Sequence, residues 1–350
     1  MNRIRTIDAH TAGEPLRLVT EGWPPPRGRT MLERRKWARE RQDHLRRTLM
    51  HEPRGHADMY GALLTEPERS DSDAGVLFMH NEGYSTMCGH GIIAVTTIVV
   101  ERGLLARAAR GESGDQAQDT GEGSASFSLT LDAPAGQIRA TASVTMRTHG
   151  HRRVERVSFV NVPSFVLAAA VPVRLGAREV RVDVAFGGAF YAIVDAESCG
   201  IPVTGERLPE LRAAGMTIAR AVEAAVNVVH PVDVGLAGIY GTIFTAPPTV
   251  AGADLRNVTI FADREVDRSP CGTGTCAVLA VLDAMGLVDC ARPFVHESII
   301  GSTFSASVVD RVTVGEMAAI VPELSGDAWI TGEHTFIVDT DDPFGRGFRL

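Results

Sequence analysis

Two runs of this chain are apolar on every side of a helix: residues 92–100, and residues 273–285 with Ala277-Val278-Leu279-Ala280-Val281-Leu282 at their centre. A helix with no polar face must be surrounded by protein, and strands wrapped about it would do this. Each run is entered from an apolar strand through a cysteine followed by glycine. The first junction is Met87-Cys88-Gly89-His90-Gly91, which follows Val76-Leu77-Phe78-Met79. The second is Asp267-Arg268-Ser269-Pro270-Cys271-Gly272-Thr273-Gly274-Thr275-Cys276. Two junctions of one design suggest two halves of one active site.

Their placement sets the chemistry. The positive end of a helix stabilises a thiolate, so a cysteine there can act as a base near neutral pH. Gly89, Gly91, Gly272 and Gly274 have no Cβ, so a ligand can approach first-turn N–H groups closely, an arrangement suited to a carboxylate. Two thiols on opposite faces of a bound carboxylic acid form a two-base site. One removes the α-proton while the other delivers a proton to the opposite face. That describes a cofactor-free racemase or epimerase.

Other uses of these residues fit less well. Cys199, Cys276 and Cys290 read as packing residues, since free cysteine is among the most buried types. Cys271 and Cys276 have four residues between them, no histidine pair answers them, and Cys88 stands alone. That is a poor zinc set, and no metal is expected, at His56, Asp58 and His80 either. The glycines around Cys271 lack the lysine and spacing of a phosphate-binding loop. The chain's single lysine, Lys36, lies in the charged run Glu33-Arg34-Arg35-Lys36-Trp37-Ala38-Arg39. Pyridoxal-dependent racemisation needs a Schiff-base lysine, so the expected cofactor set is none.

The formal net charge of -8 gives no reason to expect nucleic acid. No apolar stretch approaches the roughly 18 residues that span a membrane, and Met1-Asn2-Arg3-Ile4-Arg5 runs into a strand without a signal-peptide core. Five cysteines without framework spacing fit a reducing compartment, so a cytoplasmic location is expected.

Periodicity supplies the outline. Strands are expected at 3–9, 16–19, 56–65, 75–79, 125–131, 138–146 and 154–160, with a turn-rich hairpin at 66–74. Thr30 followed by Glu33 reads as a capping box opening one helix over 31–49. His10 sits in a turn and is left out of the catalytic set. Segment 111–123 is polar and glycine-bearing, the pattern of a mobile surface loop. The polar turn Thr148-His149-Gly150-His151 marks a change of domain near residue 150. Beyond it come strands at 180–184 and 190–194, a helix over 208–228, strands at 239–246 and 258–262, and the second cysteine helix.

The sequence resembles the proline racemase family, which includes proline racemase, 4-hydroxyproline 2-epimerase and trans-3-hydroxy-L-proline dehydratase. The resemblance rests on Ile7-Asp8-Ala9-His10-Thr11-Ala12-Gly13-Glu14-Pro15, Glu52-Pro53-Arg54-Gly55, both cysteine motifs and Phe159-Val160-Asn161-Val162-Pro163-Ser164-Phe165. It continues through Phe186-Gly187-Gly188-Ala189-Phe190-Tyr191, His296-Glu297-Ser298-Ile299-Ile300-Gly301 and Asp342-Pro343-Phe344. It implies an α+β fold like that of diaminopimelate epimerase: two similar mixed domains, each a curled, barrel-like β-sheet around a central apolar helix, with the active site in the interdomain cleft. Domain one would be residues 1–150, carrying Cys88 and completed by C-terminal strands at 335–350. Domain two would be 151–334, carrying Cys271. The resemblance also makes Cys88 and Cys271 the catalytic pair, and Gly89, His90, Asp267, Gly272 and Thr273 substrate-binding positions, with Asp267 facing the ring ammonium. A homodimer acting on proline or hydroxyproline is implied.

Cysteine at both positions favours inversion of the α-carbon, because dehydratases of the family commonly carry threonine where Cys271 stands. Elimination of a 3-hydroxyl needs only one base at the α-carbon. Against this, Met79-His80-Asn81-Glu82-Gly83-Tyr84-Ser85 and Ala189 resemble the dehydratase branch. The expectation is therefore a racemase or 2-epimerase, with trans-3-hydroxy-L-proline dehydratase as the alternative.

Overall fold

The computed structural model describes residues 2–105, 124–147, 152–289 and 291–349. Segment 111–123, the turn at 148–151 and Cys290, all given a role above, lie outside the described residues. The chain divides into two compact units, one of Met1–Phe159 with Ser325–Leu350 and one of Val160–Leu324.

In the first unit, β1 (Asn2–Thr11) pairs antiparallel with β2 (Glu14–Glu21) and with β17 (Ala328–Val338). Strand β2 runs parallel to β3 (Tyr60–Thr65), and a parallel pair needs a crossover. Helices α1 (Met31–Arg41) and α2 (Asp43–Met50) supply it. The single helix expected over 31–49 is thus two. Gln42 leaves helical geometry at φ -125°, and its buried side chain accepts from Trp23 Nε1 at 2.9 Å and donates to the Pro24 carbonyl at 2.7 Å. The cap is as expected: Thr30 accepts from Glu33 N, and the Glu33 carboxylate answers the backbone N–H of Thr30.

Strand β3 turns back into β4 (Ala74–His80), buried along its whole length. Residues 56–59 lie outside β3, although the strand was expected to start there. The chain then enters α3 (Gly89–Arg102), whose residues from Gly89 to Val100 are all buried. It emerges into β5 (Ser124–Ala133), parallel to β4 and antiparallel to β6 (Gly136–Met146), and β7 (Arg152–Val160) follows. Strands β1, β2, β3, β6 and β17 all touch α3, so the sheet surrounds the apolar helix.

The second unit repeats the plan. Strands β8 (Ser164–Leu175), β9 (Arg178–Phe186) and β10 (Phe190–Asp195) form an antiparallel series. Helix α4 (Leu208–Ala225) crosses to β11 (Ile239–Ala246), parallel to β10, and β12 (Leu255–Phe261) returns antiparallel. A short β13 (Glu265–Asp267) delivers the chain to Cys271 and α5 (Gly272–Ala284). Strand β14 (Phe294–Glu297) lies parallel to β12 and pairs with β15 (Thr303–Val314), and β16 (Met317–Gly326) pairs with β8. Helix α5 packs against β8, β9, β10 and β15. In both units, then, a helical crossover joins two parallel strands, a hairpin follows, and a cysteine opens a buried apolar helix. Among the described residues no helix is long and apolar enough to cross a membrane.

Candidate active site

Cys88 is the N-cap of α3, in extended backbone at φ -148°. Its sulfur takes the part an N-cap oxygen usually plays, accepting the Gly91 N–H at 3.2 Å. The His90 ring lies against the same sulfur, with Nδ1 at 3.2 Å and Nε2 at 3.6 Å. Two contacts fix that histidine. The Thr11 hydroxyl donates to its carbonyl at 3.0 Å, and the Tyr60 ring meets its imidazole edge-on at 4.7 Å between centroids. Gly91 is obligatory here, because an added Cβ would lie 2.4 Å from the Phe78 ring and 3.0 Å from the Cys88 sulfur. His10, nearby in sequence, accepts the Gly13 N–H at 3.4 Å, a turn histidine bonding its own backbone.

Cys271 is built differently. It is the N-cap of α5 at φ +62°, a region costly for a residue with a side chain. The strain is held from several directions. The Ser269 hydroxyl accepts the Cys271 N–H at 3.1 Å, and the Cys271 carbonyl accepts the Thr275 N–H at 2.7 Å. The preceding carbonyl, that of Pro270, receives the Asn257 amide at 3.0 Å and the Thr275 hydroxyl at 3.2 Å. Behind these stands His296, fully buried, with Nδ1 2.8 Å from Thr275 Oγ1 and Nε2 2.8 Å from Asn257 Nδ2. Burial pushes its pKa down to about 3, so the ring is neutral.

The Cys271 thiol points to the Tyr191 hydroxyl at 3.6 Å, and that hydroxyl shares a 2.6 Å hydrogen bond with Thr273 Oγ1. Burial pushes Tyr191 well above the ordinary phenol range. Asp267 is also buried; its Oδ1 accepts the Ser269 N–H at 2.8 Å and the Ser269 hydroxyl at 2.7 Å. Burial raises the Asp267 carboxyl above the usual carboxylate range. The Cys271 thiol is raised as well, first by burial and then by the Asp267 charge. The helix dipole was expected to make this thiol a ready base. Burial works against the dipole and raises the thiol.

Gly89, His90 and Cys88 thus come together at the start of α3, and Asp267, Cys271, Gly272 and Thr273 at the start of α5. Tyr191 and the Asn257–Thr275–His296 group were not singled out from sequence. Thr275 belongs to the Cys271 motif, but Asn257 bonds Pro270 from 13 residues away, His296 meets Thr275 from 21 and Tyr191 meets Cys271 from 80, and strand register brings them there. Gly187 contributes by what it lacks: a Cβ would fall 2.2 Å from the Thr273 carbonyl, inside the first turn of α5.

Comparison with known proteins places this geometry. The Proline racemase family model matches residues 6–349. A trans-3-hydroxy-L-proline dehydratase from Bacillus cereus is 47% identical over 345 residues, covering 99% of this chain and 97% of that one. Another of the same name, from Bacillus thuringiensis subsp. konkukian, is also 47% identical, with the same coverage. Among solved structures, a probable proline racemase from Agrobacterium radiobacter K84 is similar at a TM-score of 0.86 and 32% identity, covering 99% of this chain and 96% of that one. The α+β class expected from the motifs holds.

The expected racemase or 2-epimerase activity does not hold. Relatives 40–47% identical over nearly the whole chain are described as trans-3-hydroxy-L-proline dehydratases, which overturns the expectation drawn from cysteine at both junctions. The repeated plan, both cysteine motifs and a match over nearly the full length lead to one conclusion: the chain is an enzyme of the proline racemase family.

Proposed function

We propose that this enzyme dehydrates trans-3-hydroxy-L-proline, removing the α-proton and the 3-hydroxyl to give pyrroline-2-carboxylate and water. The observation that carries the reading is the full-length similarity, at 40–47% identity, to dehydratases of that substrate. Ala189 and the 79–85 segment pointed the same way.

Elimination needs one base at the α-carbon, and Cys88 fits that part. Its sulfur already accepts a backbone N–H at the positive end of α3 and lies beside an imidazole, both of which favour thiolate. Cys271, buried and beside Asp267, is not needed as a second base. Gly89, His90, Gly272 and Thr273 are assigned to the substrate, because first-turn N–H groups at a helix start suit a carboxylate and would gain strength as charge spreads into it from the α-carbon. Asp267 is assigned to the ring nitrogen. A secondary ammonium beside a buried carboxyl restores its charge by pairing with it.

The direct test is to incubate the protein with trans-3-hydroxy-L-proline and then reduce with borohydride. Proline should appear in proportion to the substrate lost. Recovery of unchanged substrate would refute the assignment.

A further inference from the structure

The stereochemistry of the proposed substrate makes a demand that one thiol does not meet. In trans-3-hydroxy-L-proline the hydroxyl is trans to the carboxylate, and the α-hydrogen is on the face opposite the carboxylate. The departing hydrogen and hydroxyl therefore share a face. Hydroxide is a poor leaving group and needs a proton as the C–O bond breaks, so an acid must stand on the same side as the base.

Cys88 has such a neighbour. The N–C–N edge of the His90 imidazole faces the Cys88 sulfur, both side chains are at least 96% buried, and both sit on the first turn of α3. Resting on the dehydratase reading above, we infer that His90 is the general acid of the reaction, giving its ring proton to the leaving 3-hydroxyl while Cys88 takes the α-proton. The balance closes within the pair. Thiolate sulfur takes the proton from C2, the C2–H electrons become the C2=C3 bond, and the C3–O bond breaks. Oxygen takes the imidazolium proton and leaves as water. The proton now on sulfur crosses the 3.2 Å contact to the ring, restoring thiolate and imidazolium. Tyr191 stands in a similar relation to Cys271, but burial and the Asp267 charge hold that thiol above its ordinary range, which makes it the poorer base.

Two features of the fold serve this role. The Thr11 bond to the His90 carbonyl and the edge-on Tyr60 ring hold the imidazole against the sulfur. Tyr60 and, stacked on it at 5.7 Å, His80 are the titratable side chains that β3 and β4 bring to this face, and Tyr60 is tied through its hydroxyl to Ser85 at 2.7 Å.

The experiment compares two leaving groups in deuterium oxide: trans-3-hydroxy-L-proline, and trans-3-fluoro-L-proline, whose fluoride departs with far less need of a proton. His90→Gln should lose at least ~100-fold in kcat on the hydroxy substrate, the usual worth of a general acid, and less than about tenfold on the fluoro substrate. Unreacted hydroxy substrate should meanwhile gain α-deuterium, because the base still works. Equal losses on both substrates, no α-exchange, or a hydroxy rate within threefold of wild type would each overturn the role. The wild-type enzyme gives a second check that needs no variant. Its kcat/KM for the hydroxy substrate should fall on an alkaline limb that the fluoro substrate lacks, and identical profiles would overturn the inference. A wild-type enzyme that leaves the hydroxy substrate untouched would instead remove the dehydratase reading itself.

Discussion

Cys88 and Cys271 occupy the same helix position in two different conformations, and the roles proposed for them differ accordingly. Both are buried, but Cys88 is extended with an imidazole against its sulfur, whereas Cys271 is left-handed and beside a carboxyl. If one base suffices, Cys88→Ala should cost the dehydration rate at least ~1,000-fold, whereas Cys271→Ser should cost less than about tenfold, in the range by which general acid–base groups act. Initial rates with trans-3-hydroxy-L-proline check this, and equal losses would contradict it. His296 supports a second residue-scale prediction. Its ring is neutral in the folded protein down to about pH 3, while in the unfolded chain it takes a proton below about 6.5. The unfolded state therefore binds more protons in that window, and stability falls as pH drops from 6.5 toward 3, by up to about 1.4 kcal/mol per pH unit. His296→Gln should flatten that slope in urea titrations between pH 4 and 7. The cysteines could be read from the sequence because helix starts and glycines are local signals. The acidity of Cys271 could not, because Tyr191 and the strands that bury the thiol meet it only in the folded chain.

The elements divide in the same way between local and distant causes. The Thr30–Glu33 capping box is written in four consecutive residues and forms as written. Thr30→Ala should therefore lower stability by about 1 kcal/mol in denaturant unfolding. The break at Gln42 is not local: Trp23 and the Pro24 carbonyl pull the side chain out of the helix. Strand β8 was not expected at all. Its alanine-rich middle, Pro172, and two shifts of register around Ala168 hide the period-two pattern that makes a strand legible, and Ala170 takes φ +53° within it. Strands β14 to β16 were missed similarly, and β17 begins at Ala328, ahead of the C-terminal return expected from about 335. Gly187 shows how such distant strands govern the site. Gly187→Ala would drive a methyl into the Thr273 carbonyl, displacing the first turn of α5, and should lower both melting temperature and turnover.

At the scale of the molecule, one plan is used twice with almost no repeated sequence. Parallel strands joined by a helical crossover, a hairpin and a buried helix opened by cysteine recur in each unit. The repetition gives the chain two thiols, and the temptation is to assign both as bases. The full-length dehydratase relatives, together with the unlike settings of the two sulfurs, favour one base and an elimination. Proton NMR in deuterium oxide, with trans-3-hydroxy-L-proline, trans-4-hydroxy-L-proline and L-proline in separate tubes, tests this most directly. The account predicts that the 3-hydroxy compound alone is consumed, its ring signals giving way to those of a pyrroline. Growth of the opposite α-stereoisomer of proline or 4-hydroxyproline, with the 3-hydroxy compound left intact, would contradict it.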